Sequence, residues 1–95
     1  NIGIARHDGE GWNLGQNEPN PASSVTAIPF NVPLDGRVVL SVMGVNGQLL
    51  HREEIDATAG ANRVELQLET LPAGLYYYSM EYRGQRQVRK MTVIK

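Results

Sequence analysis

Short β-type segments separated by glycine and proline constrain the fold of this chain more than any other feature. The clearest segment, 62–69, alternates Val64, Leu66 and Leu68 with charged and amide side chains. Successive side chains of a strand point to opposite faces, so this strand is expected to have one buried and one wet face. No stretch shows sustained helical periodicity. The chain is therefore expected to be all-β.

Six to seven such strands can be placed along the 95 residues. They are a short strand at 14–17, a strand at 25–33, a hairpin over 37–55, and strands at 62–69, 74–82 and 86–94. In the hairpin, Val38, Leu40 and Val42 alternate on one face. Short turns between strands favour antiparallel pairing in two packed sheets. The expected fold is an immunoglobulin-like antiparallel β-sandwich of about seven strands. Residues 1–13 are interpreted mostly as a linker, from which Trp12 could dock on the domain, and 14–95 as the domain.

Prolines and turn residues give finer expectations. Pro29 removes a ladder donor, which predicts that strand 25–32 lies at a sheet edge or kinks. A homodimer through this edge strand is left open. The proline-rich stretch 17–24 is predicted to be a rigid loop outside any ladder. Asn46-Gly47 predicts a tight hairpin turn, because both residues tolerate positive φ, and Gly84 predicts another hairpin.

Composition excludes several classes of function. The net charge of −1 gives no electrostatic footprint for nucleic acid. There is no cysteine, so no disulfide or thiolate metal site can form. The chain starts at Asn1 without a leader, which suggests a fragment or a processed product.

Candidate catalytic and metal-binding residues do not converge. His7 and His51 lack a second ligand at metal-site spacing, and the acidic stretch 7–13 lacks the carboxylate spacing of a calcium loop. Glu53 and Glu54 would point to opposite faces of a strand, so they cannot act together on one bond. No serine lies in a G-x-S-x-G elbow. We therefore expect no enzyme activity, no cofactor and no metal.

Two side-chain groups keep alternative interpretations. Tyr76 and Tyr78 are expected to be core residues, whereas Tyr77 points the other way and could stack on a sugar ring. A local basic cluster could meet an acidic partner or could guard a sheet edge against pairing. Its members are Arg83, Arg86, Arg89, Lys90 and Lys95.

A set of motifs in fixed order resembles the type A C-terminal sorting domain of the type IX (Por) secretion system of Bacteroidota. The motifs are QNEPNP at 16–21, IPFNVP at 28–33, GRVVLSV at 36–42 leading to the turn at Gly47, LPAGLYYY at 71–78, and KMTVIK at 90–95. Together they span about 14–95. Gly44 stands where many relatives carry an aspartate before the turn.

The resemblance implies a sorting signal at the end of a cargo protein. It implies periplasmic transit, partners among the outer-membrane translocon, shuttle and sortase proteins, and cleavage within or before residues 1–15. It also implies attachment of the cargo to anionic lipopolysaccharide, or its release, at the cell surface. The implied recognition residues are Gly74, Tyr76, Lys90, Met91, Val93, Ile94 and Lys95.

Within this interpretation, Met91 and Val93 should anchor the last strand while Lys90, Lys95 and the terminal carboxylate remain accessible. Two other functions stay open. One is an immunoglobulin-like adhesin or carbohydrate-binding module whose site combines Tyr77 with Trp12 or uses the tyrosine strand. The other is a secreted domain sensed in envelope signalling, which would need recognition of the same surface.

Overall fold

A computed structural model describes residues 11–95, and in that range the chain forms seven β-strands and no helix. The strands are β1 (Asn13–Leu14), β2 (Val25–Val32), β3 (Gly36–Gly44), β4 (Leu49–Ala57), β5 (Gly60–Gln67), β6 (Gly74–Tyr82) and β7 (Gln85–Val93). The prediction of an all-β chain with about seven strands is confirmed. The first strand is shorter than expected and begins one residue earlier.

The strands form two antiparallel sheets in an immunoglobulin-like order. One sheet has the order β1-β2-β5 and the other has the order β4-β3-β6-β7. In immunoglobulin letters these are A-B-E and C′-C-F-G, so the fourth strand joins the C-F-G sheet. The two sheets enclose one core. Within residues 11–95 there is no helix that is long and apolar enough to span a membrane.

The core comes from the alternate residues that the sequence pattern placed inward. Val38, Leu40 and Val42 of β3 are fully buried, and Leu66 of β5 is buried with Leu68 just beyond it. Burying each such side chain contributes about 1.5–3 kcal/mol. Trp12 also lies in this core, with its ring centroid 5.5 Å from that of Tyr82. The folded body therefore includes residues that we interpreted as linker.

The prediction that β2 is an edge strand is wrong. β2 lies between β1 and β5, and its pairing with β5 runs in unbroken register from Val25 to Val32. The amide and the carbonyl of Ala27 both point toward Glu18. Because the direction of the backbone groups alternates along a strand, the nitrogen and carbonyl of Pro29 point to the same side. The proline therefore removes no donor from the β5 ladder. Pairing of two copies along β2 would have to displace β1.

A glycine allows the chain to pass close to this proline. The Gly15 amide donates to the Pro29 carbonyl at 2.8 Å. A Cβ on Gly15 would lie 2.8 Å from that same oxygen and 2.9 Å from Cγ of Pro29. Only a residue without a side chain fits this approach.

The proline-rich segment takes part in both sheets, contrary to expectation. Glu18 exchanges two backbone hydrogen bonds with Ala27, each 2.8 Å long. Ala22 forms a parallel bridge with Val93. The prolines leave the amides of Glu18 and Ala22 free to pair, so the segment is an irregular edge rather than a detached loop.

The two hairpin turns follow different chemistry. Only Gly47 has positive φ in the first hairpin. The Gly44 carbonyl accepts a hydrogen bond from the Gly47 amide, and the Gly44 amide donates to the Gln48 carbonyl. This is a three-residue loop with a bulge, and of the two turn residues only Gly47 uses the positive φ that both tolerate. In the second hairpin Arg83 and Gly84 both have positive φ, as a two-residue type I′ turn requires.

Candidate functional site at the C-terminal junction

Three segments that are distant in sequence meet at one end of the sandwich. They are 16–22, 68–76 and 90–95, and we call this region the C-terminal junction. In the β6–β7 ladder Gly74 pairs with Val93, and Tyr76 pairs with Met91. Two separate groups of predicted recognition residues therefore lie side by side.

The last strand divides its side chains between the core and solvent. Met91 and Val93 are buried, as expected for residues that anchor the strand. Lys90, Ile94 and Lys95 are exposed, and Ile94 keeps about half of its surface in solvent (51%). A protein that reads the folded domain can therefore contact these three side chains directly, but not the two buried ones.

Tyr76 is also buried, and its role in the fold is specific. Its hydroxyl donates a 2.6 Å hydrogen bond to the carbonyl of Pro72, four residues upstream. A tyrosine at the start of the sixth strand that bonds back to the chain before it is the tyrosine corner of immunoglobulin-like domains. Gly74 has a φ of +155°, and a Cβ there would meet nothing within 4 Å. Glycine is needed at this position for its backbone conformation rather than for space.

The proline-rich segment closes the outer edge of β7. Thr92 donates its amide to the Asn20 side chain at 3.0 Å and accepts from the Ala22 amide at 2.9 Å. Ile94 donates to the Ala22 carbonyl at 2.8 Å, and the Gln16 amide group donates to the Lys90 carbonyl at 2.7 Å. The edge from the Lys90 carbonyl to the Ile94 amide is thus occupied from within the chain.

A buried asparagine holds this segment in shape. Asn17 is almost inaccessible, and its Nδ2 donates to the Pro19 carbonyl at 3.0 Å and to Oγ1 of Thr26 at 3.1 Å. Its Oδ1 accepts from Gln16 at 2.7 Å. The peptide bonds before Pro19 and Pro21 are cis. The QNEPNP motif therefore has a structural role, which is to form a cap for β7.

Side chains join β7 to β1 of the other sheet. Gln87 accepts from the Leu14 amide at 2.8 Å and donates to the Trp12 carbonyl at 3.1 Å. Arg89 Nε donates to the Leu14 carbonyl at 2.8 Å. These bonds satisfy backbone groups of residues 12–14 that face away from β2. They also link the edge strands β1 and β7 of the two sheets.

Tyr78 completes this connection from the core. Its hydroxyl donates to the Gly15 carbonyl at 2.7 Å. Burial raises the pKa of Tyr78 to about 12, against the smaller lowering effects of a backbone hydrogen bond from Asn17 and the charge of Arg89. The phenol therefore stays protonated and donating at neutral pH.

The basic cluster follows β7 and its turn. Arg83 lies over the Tyr82 ring at 5.7 Å, while Arg89 and Lys95 donate to main-chain carbonyls. Among residues 11–95, none of the five cations lies within 4.0 Å of a carboxylate. By contrast, Glu54 on β4 pairs with two arginines. Within the part of the chain that the structure describes, the cations on the β7 side therefore form no ion pair, although Glu81 of β6 lies directly across the ladder from Arg86.

The residues of the proposed sugar platform are not brought together. Trp12, Tyr76, Tyr78 and Tyr82 are buried, whereas Tyr77 points to the outer face of β6 and is half-buried. The expectation that Tyr77 could combine with Trp12, or with the rest of the tyrosine strand, is wrong because these rings lie on the other side of the sheet.

The remaining candidates for chemistry stay apart. His51 is exposed, and its Nε2 lies 3.0 Å from Oε1 of Glu53. The other histidine, His7, lies outside the described residues. Over residues 11–95 no group of three histidine or carboxylate side chains could hold a metal ion. Glu53 and Glu54 contact different partners, His51 and the arginines respectively.

The family comparison covers most of the chain. A family model described as "Secretion system C-terminal sorting domain" matches residues 19–95. No curated protein matches the chain by sequence.

Solved structures give distant similarities only. A β-glucosidase from Listeria innocua in complex with glucose matches with a TM-score of 0.44 and 15% identity, covering 86% of this chain and 16% of that chain. A GH3 β-glucosidase from Bifidobacterium adolescentis matches with a TM-score of 0.37 and 13% identity, covering 87% of this chain and 16% of that chain. This chain thus spans about a sixth of each enzyme. At these scores the similarities carry no inference about its function.

Sequence reasoning missed two features of the junction. The first is the tyrosine corner, although the spacing from Pro72 to Tyr76 at the start of a sixth strand was a usable signal. The second is the capping of β7 by Gln16, Asn20 and Ala22, which are over 70 residues away in sequence. No local pattern encodes that contact.

Proposed function

Because this chain belongs to the secretion system C-terminal sorting domain family, we propose that the type IX translocon recognises the exposed residues of its C-terminal junction. The domain is a C-terminal sorting signal for type IX secretion, and its family is not an enzyme family. It directs export of the attached protein to the cell surface or beyond. The residues that are read, and the partners that read them, are the proposal.

The division of the last strand supports this proposal. Buried Met91 and Val93 hold the strand in the core, and the cap fixes its edge, so Lys90, Ile94 and Lys95 have defined positions. A receptor shared by unrelated cargo proteins needs such a surface, because it can depend only on the folded signal and not on the cargo. Binding to a preorganised surface also costs little conformational entropy.

Of the seven predicted recognition residues, four then act through the fold. Tyr76 closes the corner, Gly74 supplies the backbone conformation, and Met91 and Val93 anchor β7. In our proposal they position Lys90, Ile94 and Lys95 for contact, and changes to them affect sorting through folding.

The finer route follows from the same assignment. The cargo would cross the periplasm, engage translocon and shuttle proteins, and be cleaved by a sortase before attachment to anionic lipopolysaccharide or release. Trp12 is buried in the core. A cut after it would remove a core residue from the domain, so we place the cleavage on the N-terminal side of Trp12.

A reporter fusion tests the proposal. A secreted reporter is joined to residues 1–95 and produced in a bacterium with a type IX system, beside a version that lacks Ile94 and Lys95. Deleting both residues removes the Ile94–Ala22 and Lys95–Leu68 hydrogen bonds but no buried side chain, so the domain without them should retain its fold by circular dichroism. We expect the full fusion at the surface or in the medium and the shortened one in the periplasm. Equal export of both would contradict the proposal.

A further inference from the structure

The edge of β7 is capped along only part of its length. Thr92 and Ile94 direct backbone groups away from β6, and the segment 16–22 satisfies them. Antiparallel pairing alternates the direction of the backbone groups, so Arg86 and Val88 direct theirs to the same side. No described residue bonds to the backbone of Arg86 or Val88 on that side, or to the amide of Lys90.

The side chains of this uncapped stretch form a simple pattern. Met91 and Val93 point inward, so Arg86, Val88 and Lys90 point to the outer face of the sheet. All three are exposed, and Val88 keeps 52% of its surface in solvent. The stretch therefore presents a cation, an apolar side chain and a second cation in one row beside unpaired backbone groups.

We propose that the uncapped stretch of β7, residues 86–90, binds an extended acidic segment of a partner protein by strand addition. Side chains directly across neighbouring strands interact, and opposite charges at such positions are favourable. The complementary strand carries an acid opposite Arg86, an apolar residue opposite Val88 and an acid opposite Lys90. Main-chain hydrogen bonds give the attachment and this side-chain pattern gives the selection.

Charge argues for an acidic partner rather than a second copy of the chain. Two β7 edges paired antiparallel would place Arg86 and Lys90 of one copy against the same cations of the other. Like charges directly opposite are destabilising. No described carboxylate lies within 4.0 Å of either cation, and Glu81, across the β6–β7 ladder, is placed to offset Arg86 alone. The same cations that disfavour self-pairing favour an acidic strand.

Strand addition and export share Lys90, but they are tested by different measurements. Strand addition is a binding mode that purified protein can reveal, whereas export is measured in cells. Failure of peptide binding would leave the role of the junction intact. Failure of the reporter fusion would leave the binding edge intact.

A designed peptide tests the inference on the full 95-residue chain. The peptide Ac-Thr-Glu-Thr-Val-Thr-Glu-Thr-amide has the same pattern in both chain directions, and in a second peptide lysine replaces each glutamate. Binding is measured by NMR titration, with the amide signals of residues 85–93 as the readout. We expect the acidic peptide to shift signals in this stretch and the lysine peptide to have no effect. Affinity should fall as salt is raised to about 0.5 M.

Two changes separate strand addition from general charge attraction. In Arg86→Glu/Lys90→Glu the preference should reverse, with the acidic peptide at least about tenfold weaker and the lysine peptide now binding. Val88→Pro removes an amide that faces solvent and leaves the β6 ladder intact, so it should abolish binding while both cations remain. The matched control is Arg52→Glu, which changes a cation of β4 and should leave the affinity unchanged.

The result can overturn the inference in several ways. It fails if the acidic peptide does not bind, if binding survives Val88→Pro, or if the charge reversal does not exchange the two peptides. Self-association through 86–90 that excludes the peptide would also overturn it. Should Val88→Pro fail to fold, the acidic peptide can be N-methylated on the backbone amides that face β7. That modification must abolish binding to the unchanged protein.

Discussion

The tyrosine corner gives a sharp prediction about why Tyr76 is present in the sorting motif. Tyr76→Phe removes one oxygen from a residue that is 7% exposed and leaves the Pro72 carbonyl without its 2.6 Å partner. Losing one partner of this partly buried hydrogen bond costs about 1–2 kcal/mol in the free energy of unfolding. In a domain of this size, that cost should lower the melting temperature by roughly 5–10 °C.

Urea unfolding measures this cost against a matched control. Tyr77→Phe makes the same chemical change one residue later, where the ring is half-buried and its hydroxyl has no partner in the described chain. Tyr77→Phe should change stability by less than about 0.5 kcal/mol, with equal denaturant slopes for both variants. Equal stability of the two variants would refute the structural role of Tyr76.

Three further predictions concern the core and the contacts of β1 and β7. Burial raises the pKa of Tyr78 from an ordinary value of 10.0 to about 12 in the folded protein. The protonated phenol therefore contributes roughly 2–3 kcal/mol to the free energy of unfolding below pH 10, and this contribution is lost as the pH rises through 12. Tyr78→Phe should flatten that loss in unfolding measured across alkaline pH, and an unchanged profile would contradict the assignment. Met91→Ala should cost about 2–5 kcal/mol because the side chain is fully buried, while Ile94→Ala should cost under about 0.5 kcal/mol; equal melting temperatures would contradict this division. Gly15→Ala should cost about 1–3 kcal/mol because its Cβ would lie 2.8 Å from the Pro29 carbonyl oxygen, and a stable variant in thermal melts would show that β1 can shift.

The strands could be predicted because their information is local. Alternation in β3, β5 and β6 assigned Val38, Leu66 and Tyr78 to the core, and all three are buried. The positions of the two hairpin turns were also correct, because glycine marks the places that need positive φ. A period of two and a turn signal are both visible within a few residues of sequence.

The errors concern partners that are far away in the chain. Pro29 in β2 suggested an edge strand. Its missing backbone donor lies on the side of the short strand β1, however, so the ladder between β2 and β5 continues past it. The proline-rich segment was expected to be a rigid loop outside any ladder, yet Asn20 and Ala22 cap β7. Propensity states which bonds a residue cannot make. It does not state which distant strand supplies the others.

The candidate site was predictable only in part. Motif resemblance pointed to two groups of candidate recognition residues, one on β6 and one at the end of the chain, and the β6–β7 ladder brings them together. It did not separate the residues that hold the strand from those that a partner can touch, since that division depends on burial. In the structure, Met91 and Val93 are in the core while Lys90 and Lys95 are at the surface.

The most direct test of the account is export of a reporter that carries Lys90→Ala, Ile94→Ala and Lys95→Ala together, beside a reporter that carries Met91→Ala. The three exposed side chains contribute little to the core, so the triple variant should fold with nearly unchanged stability and its cargo should remain in the periplasm. The Met91→Ala cargo should be exported at any temperature at which its domain is folded. Export of the triple variant, with periplasmic retention of a folded Met91→Ala domain, would contradict the claim that the signal is read from the exposed residues of the junction.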